Sequence, residues 1–373
     1  EGICPAYGHP PRPAATPPEE GIVETPMTNH PPLLEIRNLR TWYPVRRGVM
    51  ARAVDYVRAV DGVDLAILPG ETLGVVGESG CGKSTLARTI LRLERPRAGE
   101  ILLDGHDVLQ LRGAALQAYR RTVQVVFQDP LASLNPRHTV LDQVTEGLLV
   151  QGLIRPTEQR ATALRLLQDV GLGAEALDRY PHAFSGGQRQ RICIARALAL
   201  GPRLLICDEA VSALDLSVRA QVLNLLAELR DRHQLSYLFI THDIGVVQHL
   251  ADRIAVMYLG KIVELGPAEV VLNTPAHPYT RLLLAAVPRI GRRLKTEDGV
   301  RKTEDGGQGT VGQLDGRTVK PSDRLVAGLA HCPFAPRCAL AFERCRAQAP
   351  DLLPVGDGQA PHQAACYLAA CRT

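Results

Sequence analysis

Residues 77–85 read Gly77-Glu78-Ser79-Gly80-Cys81-Gly82-Lys83-Ser84-Thr85. Glycines bracket four variable positions and are followed by Lys-Ser, a loop whose backbone N–H groups can surround an anion. Residues 72–76 before it form a short apolar strand, and residues 83–93 after it read as a helix. The helix start adds a dipole favourable to negative charge. In such a loop Lys83 reaches the β- and γ-phosphates of a nucleotide, Ser84 ligates Mg2+, and Thr85 extends the cradle. Glu78, Ser79, Gly80 and Cys81 supply the backbone between the glycines, Cys81 at a position that tolerates many residues.

Downstream, the apolar run at 203–207 reads as a buried strand and ends in Asp208-Glu209. A carboxylate at the end of a buried strand is costly unless compensated, and Mg2+ or its bound water compensates Asp208. Glu209 beside it is the natural general base for polarising an attacking water. Strand and helix patterns alternate along much of the chain: strands near 33–39, 57–68, 72–76, 123–127, 203–207, 236–240 and 253–257, and helices at 83–93, 187–200 and 217–232. Alternation of this kind predicts a parallel sheet covered by helices. Residues 138–180 switch to helical period without a good strand, which predicts an inserted helical subdomain.

Between the loop and the acidic pair stands Phe184-Ser185-Gly186-Gly187-Gln188, where two glycines at a helix start let N–H groups approach an anion and the serine adds a hydroxyl. With the loop upstream and Asp208-Glu209 downstream, this order resembles the ATP-binding subunit of an ABC transporter. The resemblance implies an α/β P-loop NTPase core with an antiparallel β subdomain and an inserted helical subdomain. It implies that Ser185, Gly186, Gly187 and Gln188 form the signature that meets the γ-phosphate held by the other subunit. Gln128, in Val-Val-Phe-Gln-Asp-Pro, is similar to the glutamine that contacts Mg2+ or the attacking water. His242, in Phe-Ile-Thr-His-Asp, is similar to the switch histidine that senses γ-phosphate, and Asp215, in Ser-Ala-Leu-Asp, to the loop that links two sites. An aromatic after the first strand stacks on adenine in this family, a role expected of Tyr43 in preference to the adjoining Trp42. One phosphate loop and one signature per chain imply that two chains combine to build each site.

Finer likeness points to the dipeptide/oligopeptide permease branch. It is carried by Phe127-Gln-Asp-Pro-Leu-Ala-Ser-Leu-Asn-Pro136, Thr241-His-Asp-Ile-Gly-Val-Val247, Leu259-Gly-Lys-Ile-Val-Glu-Leu-Gly266, Pro275-Ala-His-Pro-Tyr-Thr-Arg-Leu-Leu-Leu284 and a Cys-rich tail. The implied partners are two membrane permease subunits, a second ATP-binding subunit giving a heterodimer, and an extracytoplasmic substrate-binding protein. The implied location is the cytoplasmic face of the membrane. Nickel and glutathione importers share this branch, and a soluble ABC ATPase without a transport role is the other class of function.

The composition agrees: 45% hydrophobic and 22% charged residues are ordinary globular values, and a net charge of +4 without a basic stripe argues against nucleic-acid binding. No apolar run reaches the length of a membrane span, and no signal peptide is visible, so a soluble cytosolic chain is expected. Residues 1–32, with about a third of the prolines, read as a disordered extension. The expected organisation continues with an ATP-binding domain at 33–287 and a linker or insert at 288–323 that repeats Lys-Thr-Glu-Asp-Gly. A Cys-rich module follows at 324–373.

Nine cysteines in a cytosolic chain are not expected to pair as disulfides. Cys193 and Cys207 sit on apolar faces and read as core thiols. Cys332, Cys338, Cys345 and Cys366 show C-x5-C-x6-C-x20-C spacing, which is neither that of zinc ribbons nor that of ferredoxins. Four thiolates suit a [4Fe–4S] cluster or Zn2+, and the resemblance implies that a tail of this kind can hold an iron–sulfur cluster, these four positions matching it. Cluster, zinc and bare thiols stay open at this point.

Overall fold

The structure is a computed structural model that describes residues 31–47, 52–286, 331–355 and 361–369. The expected N-terminal disorder (but for residues 31 and 32) and the repeat-bearing linker or insert at 288–323 lie outside these residues. The chain opens with two long antiparallel strands, Leu34–Arg47 (β1) and Arg52–Ile67 (β2), before Thr72–Val76 (β3). Lys83–Ile90 forms α1, Ala98–Leu103 β4 and His106–Asp107 β5. Gly113–Thr122 (α2) leads into Val123–Val126 (β6), then Pro130–Ser133 (α3), Val140–Val150 (α4), Gln159–Asp169 (α5) and Gly186–Leu198 (α6). Leu204–Asp208 (β7), Leu216–His233 (α7), Ser236–Thr241 (β8), Ile244–Leu250 (α8) and Arg253–Tyr258 (β9) restore the alternation. Lys261–Pro267 (β10), Ala268–Asn273 (α9) and Pro278–Ala285 (α10) follow. The tail adds Glu343–Ala347 (α11), Leu353–Pro354 (β11) and Gln363–Ala364 (β12).

Two sheets result. One is four-stranded and antiparallel, in the order β2-β1-β4-β5; the other has the order β11-β12-β10-β9-β3-β8-β7-β6. Within the second, β6, β7, β8, β3 and β9 run parallel, and β10, β12 and β11 add antiparallel strands at one side. Strands covered on both faces carry continuous apolar runs, and every residue of β3 and of β7 is buried. One core lies between the two sheets around α1, with Ile36, Val63, Leu86, Ile101, Ile206 and Ile240. A second joins the parallel sheet to α4–α7 through Val144, Leu167, Ile192, Val222 and Phe239. A third, with Val76, Val247, Tyr258, Tyr279, Phe334 and Cys345, packs the tail against the sheet.

Helices α4 and α5 fall within residues 138–180. A reciprocal cap starts α4: Thr139 Oγ1 accepts from Asp142 N, and Asp142 Oδ2 accepts from Thr139 N, both at 3.3 Å. β2 begins at Arg52, earlier than the alternation from Val57 suggested, because pairing with β1 extends it through residues of no clear pattern. Among the described residues no helix is long and apolar enough to cross a membrane.

Candidate functional site

The parallel strands present their carboxyl ends at one level, where loop residues of open α/β sheets meet ligands. Val126 of β6 pairs with Cys207 of β7, and Asp208 of β7 with Ile240 of β8. Gln128, Glu209 and His242 therefore leave three adjacent strands within two residues of the same level. β3, paired to the other side of β8, delivers the glycine loop beside them.

The loop is shaped by close approach. Gly82 has φ 115°, and a Cβ there would lie 1.9 Å from the Ala59 carbonyl oxygen, so β2 backbone occupies the space any side chain would need. Cys81 O accepts from Gly260 N at 2.8 Å, and Gly260 O accepts from Asp61 N at 2.9 Å, which ties the loop to the β9–β10 turn and the antiparallel sheet. Lys83 is buried. Its ammonium donates to Gly77 O at 2.7 Å and Glu78 O at 3.0 Å and reaches Cys81 Sγ at 3.7 Å.

Ser84 Oγ donates to Asp208 Oδ1 at 3.1 Å. Burial pushes the Asp208 carboxyl above its ordinary range, with the Ser84 hydrogen bond opposing that push. A hydroxyl and a carboxylate with displaced hydration are hard oxygen donors of the kind Mg2+ takes, so these two residues fit the ion. Glu209 occupies the left-handed region at φ 49°. Its N–H donates to Ile240 O at 2.9 Å, and its carboxylate Oε1 lies 3.3 Å from His242 Nδ1. Ser84, Asp208, Glu209 and His242 thus form one connected series, and Gln128 stands exposed at the neighbouring strand end.

The glycine-rich segment starts α6. Ser185 Oγ accepts from Gln188 N at 3.4 Å, and Gln188 Oε1 accepts from Ser185 N at 3.0 Å. Ser185 and Gly186 are exposed, whereas Gly187 is buried where a Cβ would meet Val218 Cγ1 at 2.3 Å, which lets α6 and α7 approach closely. Asp215 precedes α7, exposed, its carboxylate making no cap. These residues belong to helix starts, apart from the strand-end series.

Trp42 and Tyr43 differ in surroundings. The Trp42 indole has the Arg58 and Arg97 guanidiniums 4.3 and 4.9 Å from its centroid and donates to Asp61 Oδ1 at 3.2 Å. Tyr43 is half-buried.

Three residues at the site carried no signal of their role in the sequence. Tyr279 Oη accepts from Glu78 N at 2.9 Å. Arg337 grips the Glu78 carboxylate. Arg219 joins Asp243, next to His242, to Leu214 O, next to Asp215, at 2.7 and 3.2 Å. Tyr279 lies inside a segment singled out for its likeness to the permease branch, yet nothing there points back to residue 78.

Cys193 and Cys207 are buried, their thiols pushed up to about 11 and about 12 by burial, as expected of core thiols. In the tail, Cys332 N donates to Cys345 O at 2.9 Å, and Cys345 and Cys366 raise the thiols of Cys332 and Cys338 electrostatically after burial. Among the described residues, however, no group of three or more His, Cys, Asp or Glu is placed to hold a metal ion. The expected [4Fe–4S] cluster or Zn2+ on Cys332, Cys338, Cys345 and Cys366 gains no site among the described residues.

Residues 60–212 match the family described as ABC transporter, and residues 263–345 the family described as oligopeptide/dipeptide transporter, C-terminal region. The chain is 46% identical over 338 residues to the "Probable peptide ABC transporter ATP-binding protein y4tS" of Sinorhizobium fredii, covering 91% of this chain and 90% of that protein. It is 54% identical over 257 residues to the "Glutathione import ATP-binding protein GsiA" of Escherichia coli O157:H7, covering 69% of this chain and 41% of that protein. The chain therefore matches less than half the length of the second relative. A solved dimer of the ATP-binding cassette MJ0796 bound to ADP and Pi is 30% identical with a TM-score of 0.56, covering 63% of this chain and 98% of that one.

Proposed function

The chain belongs to the ABC transporter ATP-binding proteins that carry the oligopeptide/dipeptide transporter C-terminal region, and from that membership we propose how it couples ATP hydrolysis to peptide import. The connected series Ser84–Asp208 and Glu209–His242 carries the proposal. The N–H groups of residues 77–85 hold the phosphates and Lys83 supplies a point charge to the β- and γ-phosphates. Ser84 and Asp208, with Gln128 beside them, would hold Mg2+, which would supply positive charge against that of the phosphates. Glu209 takes the proton of the attacking water, and His242 orients it through the 3.3 Å contact. Tyr43 stacks on adenine, since two guanidiniums already lie against the Trp42 ring.

Ser185, Gly186, Gly187 and Gln188 are presented at an exposed helix start to complete the site of a second ATP-binding subunit, a paralogue, with Asp215 beside them. Residues 138–180 transmit closure of that pair to two membrane permease subunits, fed by an extracytoplasmic substrate-binding protein. The chain then works at the cytoplasmic face of the membrane. Affinity purification from detergent-solubilised membranes, with mass spectrometry, tests the assembly. Two multi-span permeases and a second ATP-binding chain are expected; ribosomal or DNA-repair proteins in their place overturn it. Similarity to the glutathione relative favours a second cargo, and uptake of labelled dipeptide against labelled glutathione separates the two.

A further inference from the structure

Residue 78 is held at every polar position it has. Its N–H donates to Tyr279 Oη at 2.9 Å, and its carbonyl accepts from Lys83 Nζ at 3.0 Å. Its two carboxylate oxygens take Arg337 Nη1 and Nη2 at 3.0 Å each. Lys83 belongs to the loop itself, whereas Tyr279 and Arg337 come from the C-terminal region, Arg337 lying 259 positions away in sequence. The guanidinium meets the carboxylate with both terminal nitrogens, Nη1 in a hydrogen bond and Nη2 in ionic contact, a charge-assisted and geometrically specific pairing.

Arg337 is also set in place by its own segment. It ends the 3-10 turn Ala335–Arg337, with Arg337 N donating to Phe334 O at 2.9 Å. Phe334 is buried among Tyr258, Tyr279 and His277, with ring centroids 5.4, 5.5 and 5.7 Å away. The guanidinium lies 5.9 Å from both the Tyr258 and the Phe334 rings. The fork is thereby aimed before any ligand arrives, and little side-chain freedom remains to be lost.

The loop that surrounds polyphosphate carries a carboxylate at its second position, and like charges this close oppose each other. We propose that Arg337 is a positioning residue for ATP binding: from the C-terminal region it neutralises Glu78 and fixes residue 78, so that the loop meets the phosphates without its own negative charge. This rests on the assignment of residues 77–85 to the phosphates.

Michaelis–Menten ATPase assays and direct ATP-binding measurements on the full chain test it. Arg337→Ala raises the KM and Kd for ATP about five-fold, equivalent to about 1 kcal/mol, the upper range of a part-exposed ion pair. Its kcat falls by less than about two-fold, because no reacting atom is touched. Arg337→Lys retains the charge without the fork and lands between the two. Glu78→Gln lowers KM, and the Arg337→Ala/Glu78→Gln double variant returns it toward the parent value, which loss of a merely structural contact does not do. An unchanged KM in Arg337→Ala, or a double variant as weak as the single, overturns the proposal. Should Arg337→Ala fail to fold, Glu78→Gln decides alone, since weaker ATP binding there shows the carboxylate helping and refutes neutralisation. Lys83→Ala in the same assay tests the underlying assignment. Lost binding there with no effect at Arg337 refutes the positioning role alone, and undiminished binding refutes both.

Discussion

Glu209 adopts a backbone conformation that residues other than glycine rarely enter, at φ 49°. Such strain persists where surrounding bonds over-determine it, and here Glu209 N is fixed to Ile240 O while Glu209 O accepts from the Ser212 hydroxyl at 2.9 Å. The result aims the carboxylate at His242. Glu209→Gln keeps the shape and removes the base, so turnover falls at least ~10²-fold while ATP binding persists, as steady-state assays and nucleotide retention will show. Asp208 behaves differently. Burial raises its carboxyl, so the folded chain holds that proton more tightly than the unfolded chain and loses stability as pH rises through the window above about 3.8. Asp208→Asn therefore melts at a higher temperature than the parent at neutral pH in the absence of Mg2+ and ATP, and has no Mg2+-dependent ATPase. These residues were legible in the sequence because each sits within a few positions of its own strand or helix end. Arg337 was not, since its partner is 259 positions away and an isolated arginine before a cysteine carries no pattern.

At the scale of elements, α10 depends on a histidine as its N-cap. His277 Nδ1 accepts from Tyr279 N at 3.0 Å, and His277 N donates to Glu264 Oε2 at 2.9 Å. Acceptance at Nδ1 requires that nitrogen to be unprotonated, and burial holds His277 down at about 4 although nearby Glu264 favours its charge. Between that value and the ordinary 6.5, the unfolded chain binds the proton and the folded chain does not, so stability falls as pH drops through this window. Lowering the pH from 7 to 5 should cost about 2 kcal/mol by this route. Chemical denaturation at the two pH values checks it, and His277→Asn, a cap that does not titrate, should flatten the difference. Helices and parallel strands such as α6, α7 and β7 were legible from periodicity and apolar runs. β11 and β12 were not: each is two residues long, β12 held by Glu264 and Leu265 of β10 and β11 by β12, rather than by any preference of their own.

For the molecule as a whole, the C-terminal segment is structural to the ATP-binding fold. β12 covers the edge of β10, and His362 Nε2 pairs with the fully buried Glu264 Oε1 at 2.8 Å. Phe334 closes the core beneath β9 and β10. A chain ending at residue 286 exposes both the edge and the apolar face, and open edges invite intermolecular pairing. Such a chain should aggregate on warming, and Phe334→Ala in the full chain should cost about 3–5 kcal/mol of unfolding free energy. The clustering of cysteines in the tail was visible from the sequence, but the contact of Arg337 with the nucleotide loop was not, because the hydrophobic cluster of Tyr258, Tyr279 and Phe334 that positions it has no local period.

The pairing of His362 with Glu264 also spans 98 positions, and that separation sets a clock. At about 5–20 residues per second, a ribosome needs roughly 5–20 seconds after making β10 to supply the strand that covers it. For that interval the nascent chain carries a bare strand edge, and for its earlier part a phosphate loop still without its distant arginine. Any pause or premature stop between the two lengthens or perpetuates that state. Abundance in the cell is thus predicted to depend on translation speed between residues 264 and 362, and on chaperones that occupy the edge until His362 and β12 have been made.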